Sequence, residues 1–380
     1  MKNIVIVSHK FLTQSDDELA YYLSNKKYDN VLHIRHSFSD AEDRCSYYTW
    51  YKKGKLFKEE RTKDYKKYSE PLIYLKEIYY TKKWIKNSGI IWDYCICMDG
   101  FLTYFTSQLK KRYIKRLVFW VIDVVPESRF KSKIKDKIYR HINKTACKKA
   151  DEIWDLSPRM DIIREKIYGF KAKDVAKHRL VPQGLWTERV KKYSYDKCKK
   201  TTLVFMGHLL EKQGAQLVIE TIPEIIKEIP NFKFKIIGGG SYKDSLINLA
   251  KELDVQKYCD FKGKIEDHKE LENEIAKSCV AIAPYIKALD TWTYYADPGK
   301  IKTYLGCGVP VLLTNIPWNA EEIEKNKCGI IIKENKKDII KNMLILMNKE
   351  VNQEYRDNAI KYSKSFDYET TFNKLIRELK

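Results

Sequence analysis

The sequence predicts an α/β protein of two doubly wound domains, on three observations. Its 380 residues exceed what one ordinary core organises and suit two domains of about 150 to 200 residues each. Short apolar runs alternate with longer amphipathic ones, which is how parallel sheets covered by helices read in a sequence. After the polar, basic stretch TERVKKYSYDKCKKTT at 187–202 the alternation begins afresh. The repeating object is therefore a whole domain, and 187–202 reads as the linker.

In the first half, strands are expected at NIVIVSH (3–9), NVLHIRH (30–36), WDYCICMD (92–99), RLVFWVID (116–123), EIWDLS (152–157) and HRLVPQ (178–183). Helices lie between them, for instance SKIKDKIYRHINKTACKKA at 132–150. In the second half TTLVFMG (201–207) is a strand and GAQLVIETIPEIIKEI (214–229) a helix interrupted near Pro223. FKFKIIGGG (232–240) is a strand ending in three glycines, and SYKDSLINLAKELDV (241–255) is a helix. YCDFKG, SCVAIAPY, VPVLLT and CGIIIK continue the series. The domains are expected at 1–190 and 200–362.

One helix entrance is unusual. In ADPGKIKTYLGCGVPVLLT (296–314) Asp297 suits a helix cap and Pro298 the first helical position, where no amide hydrogen is needed. Gly299 and Lys300 suit it less, because glycine costs about 1 kcal/mol in a helix and a first-turn lysine opposes the dipole. Both fit if an anion sits at the helix mouth. Gly308 then supplies a left-handed stop and Pro310 blocks continuation.

The formal net charge is +21. An anionic partner, an anionic membrane and a lysine-rich surface all account for it. Residues 47–86 go further, with twelve Lys or Arg and eleven aromatic residues. Basic side chains interleaved with Trp and Tyr suit a membrane headgroup layer. Stacking on single-stranded nucleic acid is the competing use, but no nucleic-acid-binding motif accompanies the patch, so no nucleic-acid partner is expected. The longest apolar runs, such as LVFWVI (117–122), fall far short of the roughly 20 residues that span a bilayer. The expectation is a cytoplasmic protein, peripheral on the inner face of the cell membrane. Nine cysteines without a CxxC pair read as reduced core thiols.

The second half resembles the nucleotide-sugar domain of the retaining GT-B glycosyltransferases, the group that includes sucrose synthases and bacterial mannosyltransferases. FMGHLLEKQG resembles the family's strand and Gly-Arg-Leu and Lys-Gly loop, IIGGG its IxGxG turn, and CDFKG its VxFxG. SCVAIAPY resembles the strand that ends in a proline near the sugar, and YLGCGVPVLLT the family's EAMACGTPVV. These motifs cover 201–332 in order, and YSKSFDYETTFNKLIREL resembles the closing helix. The resemblance implies the GT-B architecture, two Rossmann-like domains facing a central cleft, with 363–380 crossing back onto the first domain. It implies a nucleoside-diphosphate sugar of UDP or GDP type as substrate and no cofactor. It also implies a carbohydrate or polyprenyl-linked acceptor in surface polysaccharide or glycoconjugate assembly, and transfer with retention.

No Asp-x-Asp follows an apolar strand, so no metal is expected, and helix amides and basic side chains must meet the leaving diphosphate. The donor-binding candidates are Gly207, His208, Lys212, Gln213, Gly238, Gly239, Gly299, Lys300 and Thr303. Asp123 and Asp297 are the catalytic candidates, and His9 and Asp99, at strand ends, the acceptor-binding ones. The sequence also departs from the family. The phosphate-binding arginine falls on His208, its lysine on Gln213 with Lys212 one place earlier, and the ribose-gripping acid on Thr303. Those departures motivate one alternative, a noncatalytic GT-B scaffold or partner subunit. A sugar-nucleotide epimerase is the other, for which no convincing acid/base pair is found.

Overall fold

The computed structural model describes residues 3–10, 15–37, 44–122, 124, 128, 130, 132–171, 175–289 and 292–379. It divides into two compact units, one comprising the chain up to Pro182 together with the residues from Phe372 on, the other Gln183–Thr371.

The first unit carries β1 (Asn3–His9), β2 (Asn30–His36), β3 (Ser46–Lys52), β4 (Lys55–Arg61), β5 (Trp92–Cys97), β6 (Ile114–Val121), β7 (Glu152–Asp155) and β8 (Lys177–Leu180). They form one sheet in the order β4-β3-β2-β1-β5-β6-β7-β8. Between them run α1 (Ser15–Asn25), α2 (Glu70–Asn87), α3 (Gly100–Thr106), α4 (Lys133–Lys149) and α5 (Met160–Tyr168). Ile4, Val5, Ile6 and Val7 of β1 are wholly buried, as a central parallel strand covered on both faces must be. From β1 the order runs one way through β2, and from β5 the other way. The carboxyl ends of β1 and β5 thus mark the switch point where ligands of such sheets bind. His9 and Asp99 stand there.

The β3–β4 hairpin was not among the expected strands. It pairs antiparallel through a two-residue turn, with Lys53 (φ 48°) and Gly54 (φ 81°) left-handed, the geometry that matches strand twist. The signal lay in the alternation of YYTWYK before Lys-Gly, inside the stretch read as a membrane patch. Much of that stretch is core: Tyr48, Trp50, Tyr65 and Trp84 are buried, and Trp84 donates from Nε1 to Glu60 at 3.1 Å.

The second unit carries β9 (Lys199–Met206), β10 (Lys233–Ile237), β11 (Cys259–Gly263), β12 (Ser278–Ala283), β13 (Val311–Leu313) and β14 (Gly329–Ile331), ordered β11-β10-β9-β12-β13-β14 and parallel throughout. Its helices are α6 (Ala215–Ile219), α7 (Ile222–Glu228), α8 (Lys243–Glu252), α9 (His268–Ala276), α10 (Gly299–Gly306), α11 (Ala320–Lys325), α12 (Lys336–Met347) and α13 (Lys349–Ser363). The break near Pro223 is real and separates α6 from α7. The switch point lies between β9 and β12. A final helix, α14 (Tyr368–Glu378), serves the first unit from Phe372 on, where Tyr22 donates to Asn373 at 2.7 Å and Tyr94 to the Leu379 carbonyl at 2.7 Å.

The stretch 187–202 is not a free linker. Val190 and Tyr195 are buried in the second unit's core. Thr187 is held by Asp367, its amide at 3.0 Å and its hydroxyl at 2.8 Å, and the buried Arg356 donates to the Tyr193 carbonyl at 3.1 Å. Its lysines hid the few apolar anchors that decide the matter. The nine cysteines are free thiols, and Cys259 alone among them is not fully buried. No helix among the described residues is long and apolar enough to cross a membrane.

Candidate active site

In the second unit the loops leaving β9 and β10 are stitched together. The Gly207 amide donates to Ile237 at 3.0 Å, Leu209 to Gly239 at 2.9 Å and Tyr242 to Leu209 at 3.0 Å. This contact explains two of the three consecutive glycines. A Cβ on Gly238 would lie 1.9 Å from the Gly207 carbonyl oxygen, and one on Gly240 2.4 Å from that of Leu209. They are there for loop-against-loop packing. Gly239 differs, since a Cβ there would meet nothing within 4 Å. Of the three, it is the one that leaves open space.

Lys300 enters this corner from the first turn of α10. Its ammonium donates to Oε1 of Gln213 at 2.6 Å and lies 4.4 Å and 4.6 Å from the ring centres of Phe205 and Tyr285. A Cβ at Gly207 would be 3.4 Å from Nζ. Gly207, Gln213 and Lys300, three of the donor-binding candidates, are therefore brought together. The two ring faces help hold the ammonium in place. His208 is exposed, and the Lys212 ammonium lies 5.2 Å from the Trp292 ring centre. The Thr303 hydroxyl is turned back to the Gly299 carbonyl at 3.2 Å, the local bond a helical threonine readily makes.

The helix mouth itself departs from expectation. Pro298 occupies the cap position, and no side chain caps the helix. Asp297 is buried instead. Its Oδ2 accepts from the Gln183 amide at 2.7 Å and from the Lys302 ammonium, and its Oδ1 from Nε1 of Trp318 at 2.8 Å. Lys302 also donates to the Gln183 carbonyl at 2.6 Å. Burial drives the Lys302 pKa down, with Asp297 opposing the shift. Asp297, expected as a catalytic group, is thus a carboxylate whose oxygens are already committed, only 1% of its side chain being exposed. Gly299 also has a simpler reason than phosphate approach, since a Cβ there would come 2.4 Å from Oε1 of Gln183. Sequence reasoning missed Gln183, Lys302, Trp318 and Tyr304. The last, fully buried, takes the Met206 amide on its hydroxyl at 2.7 Å and fixes α10 to the end of β9.

In the first unit Asp99 caps α3, accepting the Leu102 amide on Oδ1 at 2.8 Å. Its Oδ2 lies 2.9 Å from Nδ1 of His9, whose Nε2 lies 3.2 Å from Glu77 on the buried side of α2. Burial alone would lower the His9 pKa, but the charges and hydrogen bonds of Asp99 and Glu77 outweigh it and raise it to about 10. His36, whose ring centre is 5.7 Å from that of His9, is pushed well below the usual value by burial and by the His9 charge. His36 rests neutral between Ser46 at 2.7 Å and Thr81 at 2.9 Å. Neither Glu77 nor His36 carried a sequence signal. Asp16, Asp17 and His33 have the spacing of a metal site, yet Asp16 is held by Ser8 and His33, and Asp17 by Arg35 at 2.7 Å. Asp123 lies outside the described residues.

Residues 188–366 match the family described as "Glycosyl transferases group 1". This segment, a little under half of the chain, is similar to group 1 glycosyltransferases. Within the curated proteins, the GDP-mannose-dependent alpha-(1-6)-phosphatidylinositol monomannoside mannosyltransferase of Mycobacterium tuberculosis is 22% identical over 139 residues, 35% of this chain and 34% of the relative. The match thus spans about a third of that relative's length. Among solved structures, a sucrose-phosphate synthase from Thermosynechococcus elongatus superposes with a TM-score of 0.72 at 14% identity, over 99% of both chains. Anabaena HepE in complex with UDP gives 0.70 at 11%, over 100% of this chain and 99% of that one. The fold of the chain is therefore GT-B, as its ordered motifs led one to expect.

Proposed function

We propose that the chain moves a sugar from a nucleoside diphosphate of UDP or GDP type to a carbohydrate or polyprenyl-linked acceptor in surface polysaccharide or glycoconjugate assembly, working peripherally at an anionic membrane. The observation that carries this reading is the Lys300 ammonium, held by the neutral Gln213 amide at 2.6 Å and 3.4 Å from where a Cβ on Gly207 would stand. A cation and a helix N-terminus at the switch point of a parallel sheet are where a diphosphate is stabilised. HepE was crystallised with UDP and the mycobacterial relative is described as GDP-mannose-dependent, which supports either base.

In the proposed reaction the bond between the anomeric carbon and the diphosphate oxygen breaks as charge accumulates near Lys300. The acceptor hydroxyl bonds to the same face of that carbon, giving retention, and its proton passes to the leaving diphosphate. No metal is invoked, because Lys300 and the α10 amides meet the charge. His208, Lys212 and Thr303 line the donor side of this proposal, and Asp123, His9 and Asp99 the acceptor side. Asp297 acts by holding Gln183 and Lys302 under the helix mouth.

A thermal-shift panel of UDP, GDP, ADP and CDP with their common sugars, without metal, tests this. A ligand at 100 times its Kd adds about 2.7 kcal/mol of native stability, so one nucleotide family should raise Tm. Lys300→Ala should weaken that binding about tenfold, or 1.4 kcal/mol, and NMR of the product should show the donor's anomeric configuration. A folded protein that no nucleotide shifts would be the noncatalytic scaffold that His208, Gln213 and Thr303 first suggested.

A further inference from the structure

Helix α2 is apolar on both sides. Its inner side buries Ile73, Trp84 and Ile85. At 100° per residue, Leu72, Leu75 and Tyr79 fall within one narrow strip on the opposite side, and they are 48%, 60% and 57% exposed. A helix on the surface of a soluble domain puts polar groups there, and a contiguous outward apolar strip marks a contact with something other than water. The strip is continued sideways by rings: Tyr74 packs on Phe101 of α3 at 5.1 Å, and Phe101 on Phe105 at 4.9 Å.

Lysines border the strip. On the same helical net Lys76 and Lys83 flank one side and Lys82 the other. Their ammonium groups lie 4.4 Å from the Tyr68 ring centre, 5.7 Å from that of Tyr79 and 5.6 Å from that of Phe105. The acid in the middle of the helix, Glu77, points inward to His9, so it does not offset them. Farther along the same face of the sheet, α4 repeats the mixture with Ile134 and Ile138, 74% and 55% exposed, beside Lys133 and Lys137. An apolar strip one helix wide, edged by cations whose aliphatic stems can lie along it, is the form of a helix lying in a headgroup layer.

We propose that the outer face of α2, extended by the α3 rings, docks on an anionic lipid bilayer, with Leu72, Leu75 and Tyr79 as the side chains that enter it. This deepens the peripheral-membrane part of the reading above and rests on it. It also narrows the surface to α2 and the α3 rings, leaving out the β3–β4 hairpin, whose Leu56 and Phe57 are 55% and 54% exposed.

The test is flotation of the full chain with vesicles of phosphatidylcholine alone and of phosphatidylcholine mixed with phosphatidylglycerol. The chain should bind the anionic vesicles, less so as salt is raised. A Leu75→Ser/Tyr79→Ser chain should lose about tenfold in binding at unchanged Tm, while Phe57→Ser should bind as the parent does. Equal binding by the double variant, indifference to anionic lipid, or loss confined to Phe57→Ser would overturn the proposal. So would a dimer in gel filtration that the double substitution dissolves, or binding to RNA abolished by it. The nucleotide-induced Tm shift is read on the same samples. Vesicle binding without that shift retires the sugar-transfer reading and keeps this surface, and the reverse result retires the surface alone.

Discussion

Both sheets present a switch point at strand ends, and the two have been filled by different means. At the ends of β1 and β5 in the first unit, charges answer one another: His9 sits between Asp99 and Glu77 at 2.9 Å and 3.2 Å. At the ends of β9 and β12 in the second, backbone and glycine dominate, and the cation Lys300 is steadied by an amide and two ring faces. The first arrangement stabilises itself. The second sets Lys300 at the mouth of α10 and the ion pair of Asp297 with Lys302 in the interior. The contrast teaches that a polar cluster at a strand end is not in itself a ligand site, since the acids and the base of the first unit's cluster already serve one another.

That contrast can be broken or sharpened by substitution. The largest effect is expected from Asp297→Ala, which strands Lys302 and the Gln183 amide in the interior. Removing one partner of a buried pair costs about 3 to 5 kcal/mol, readable in urea unfolding. Gly238→Ala should follow. Its φ of 137° and a Cβ 1.9 Å from the Gly207 carbonyl oxygen force strain of about 1 to 3 kcal/mol, and donor-induced stabilisation should fall with it.

The charge cluster of the first unit is tested by pH. The folded His9 pKa of about 10 exceeds the ordinary 6.5, so the native state holds an extra proton between those values. The stabilisation is complete below pH 6.5 and is lost as pH rises towards 10. The stability advantage of the parent over His9→Gln should therefore shrink across that window by at least about 1.4 kcal/mol, one pKa unit's worth, in parallel unfolding curves. A constant advantage would mean that His9 is neutral. The smallest effect on folding belongs to Gly239→Ala, within about 0.5 kcal/mol, because nothing lies within 4 Å of the added methyl. If the open space there receives the donor, the same change still weakens nucleotide binding, measured by calorimetry.

Several features were legible before any coordinates. The doubly wound pattern, the break at Pro223 and the stop at Gly308, whose φ is 69°, follow from local rules of period and backbone freedom. So does the nearness of Lys300 to Gly207, because strand-loop-helix motifs of fixed order return to the same sheet edge. The hairpin was missed because YYTWYK was weighed by composition instead of alternation. The linker was misjudged because six basic residues between 187 and 202 outweighed a few apolar anchors.

By itself the sequence determined the fold class, the domain motifs and the overall positive charge, all of which depend on short-range pattern or simple count. Tertiary structure alone decided what each polar group spends its charge on. Gln183 and Trp318 meet Asp297 from 114 and 21 positions away, and Glu77 reaches His9 across 68. Such pairings are made by packing and not by proximity along the chain, so no local pattern records them. They also turned Asp297 from a cap into a buried anchor, and left Leu72, Leu75 and Tyr79 exposed along one face of α2.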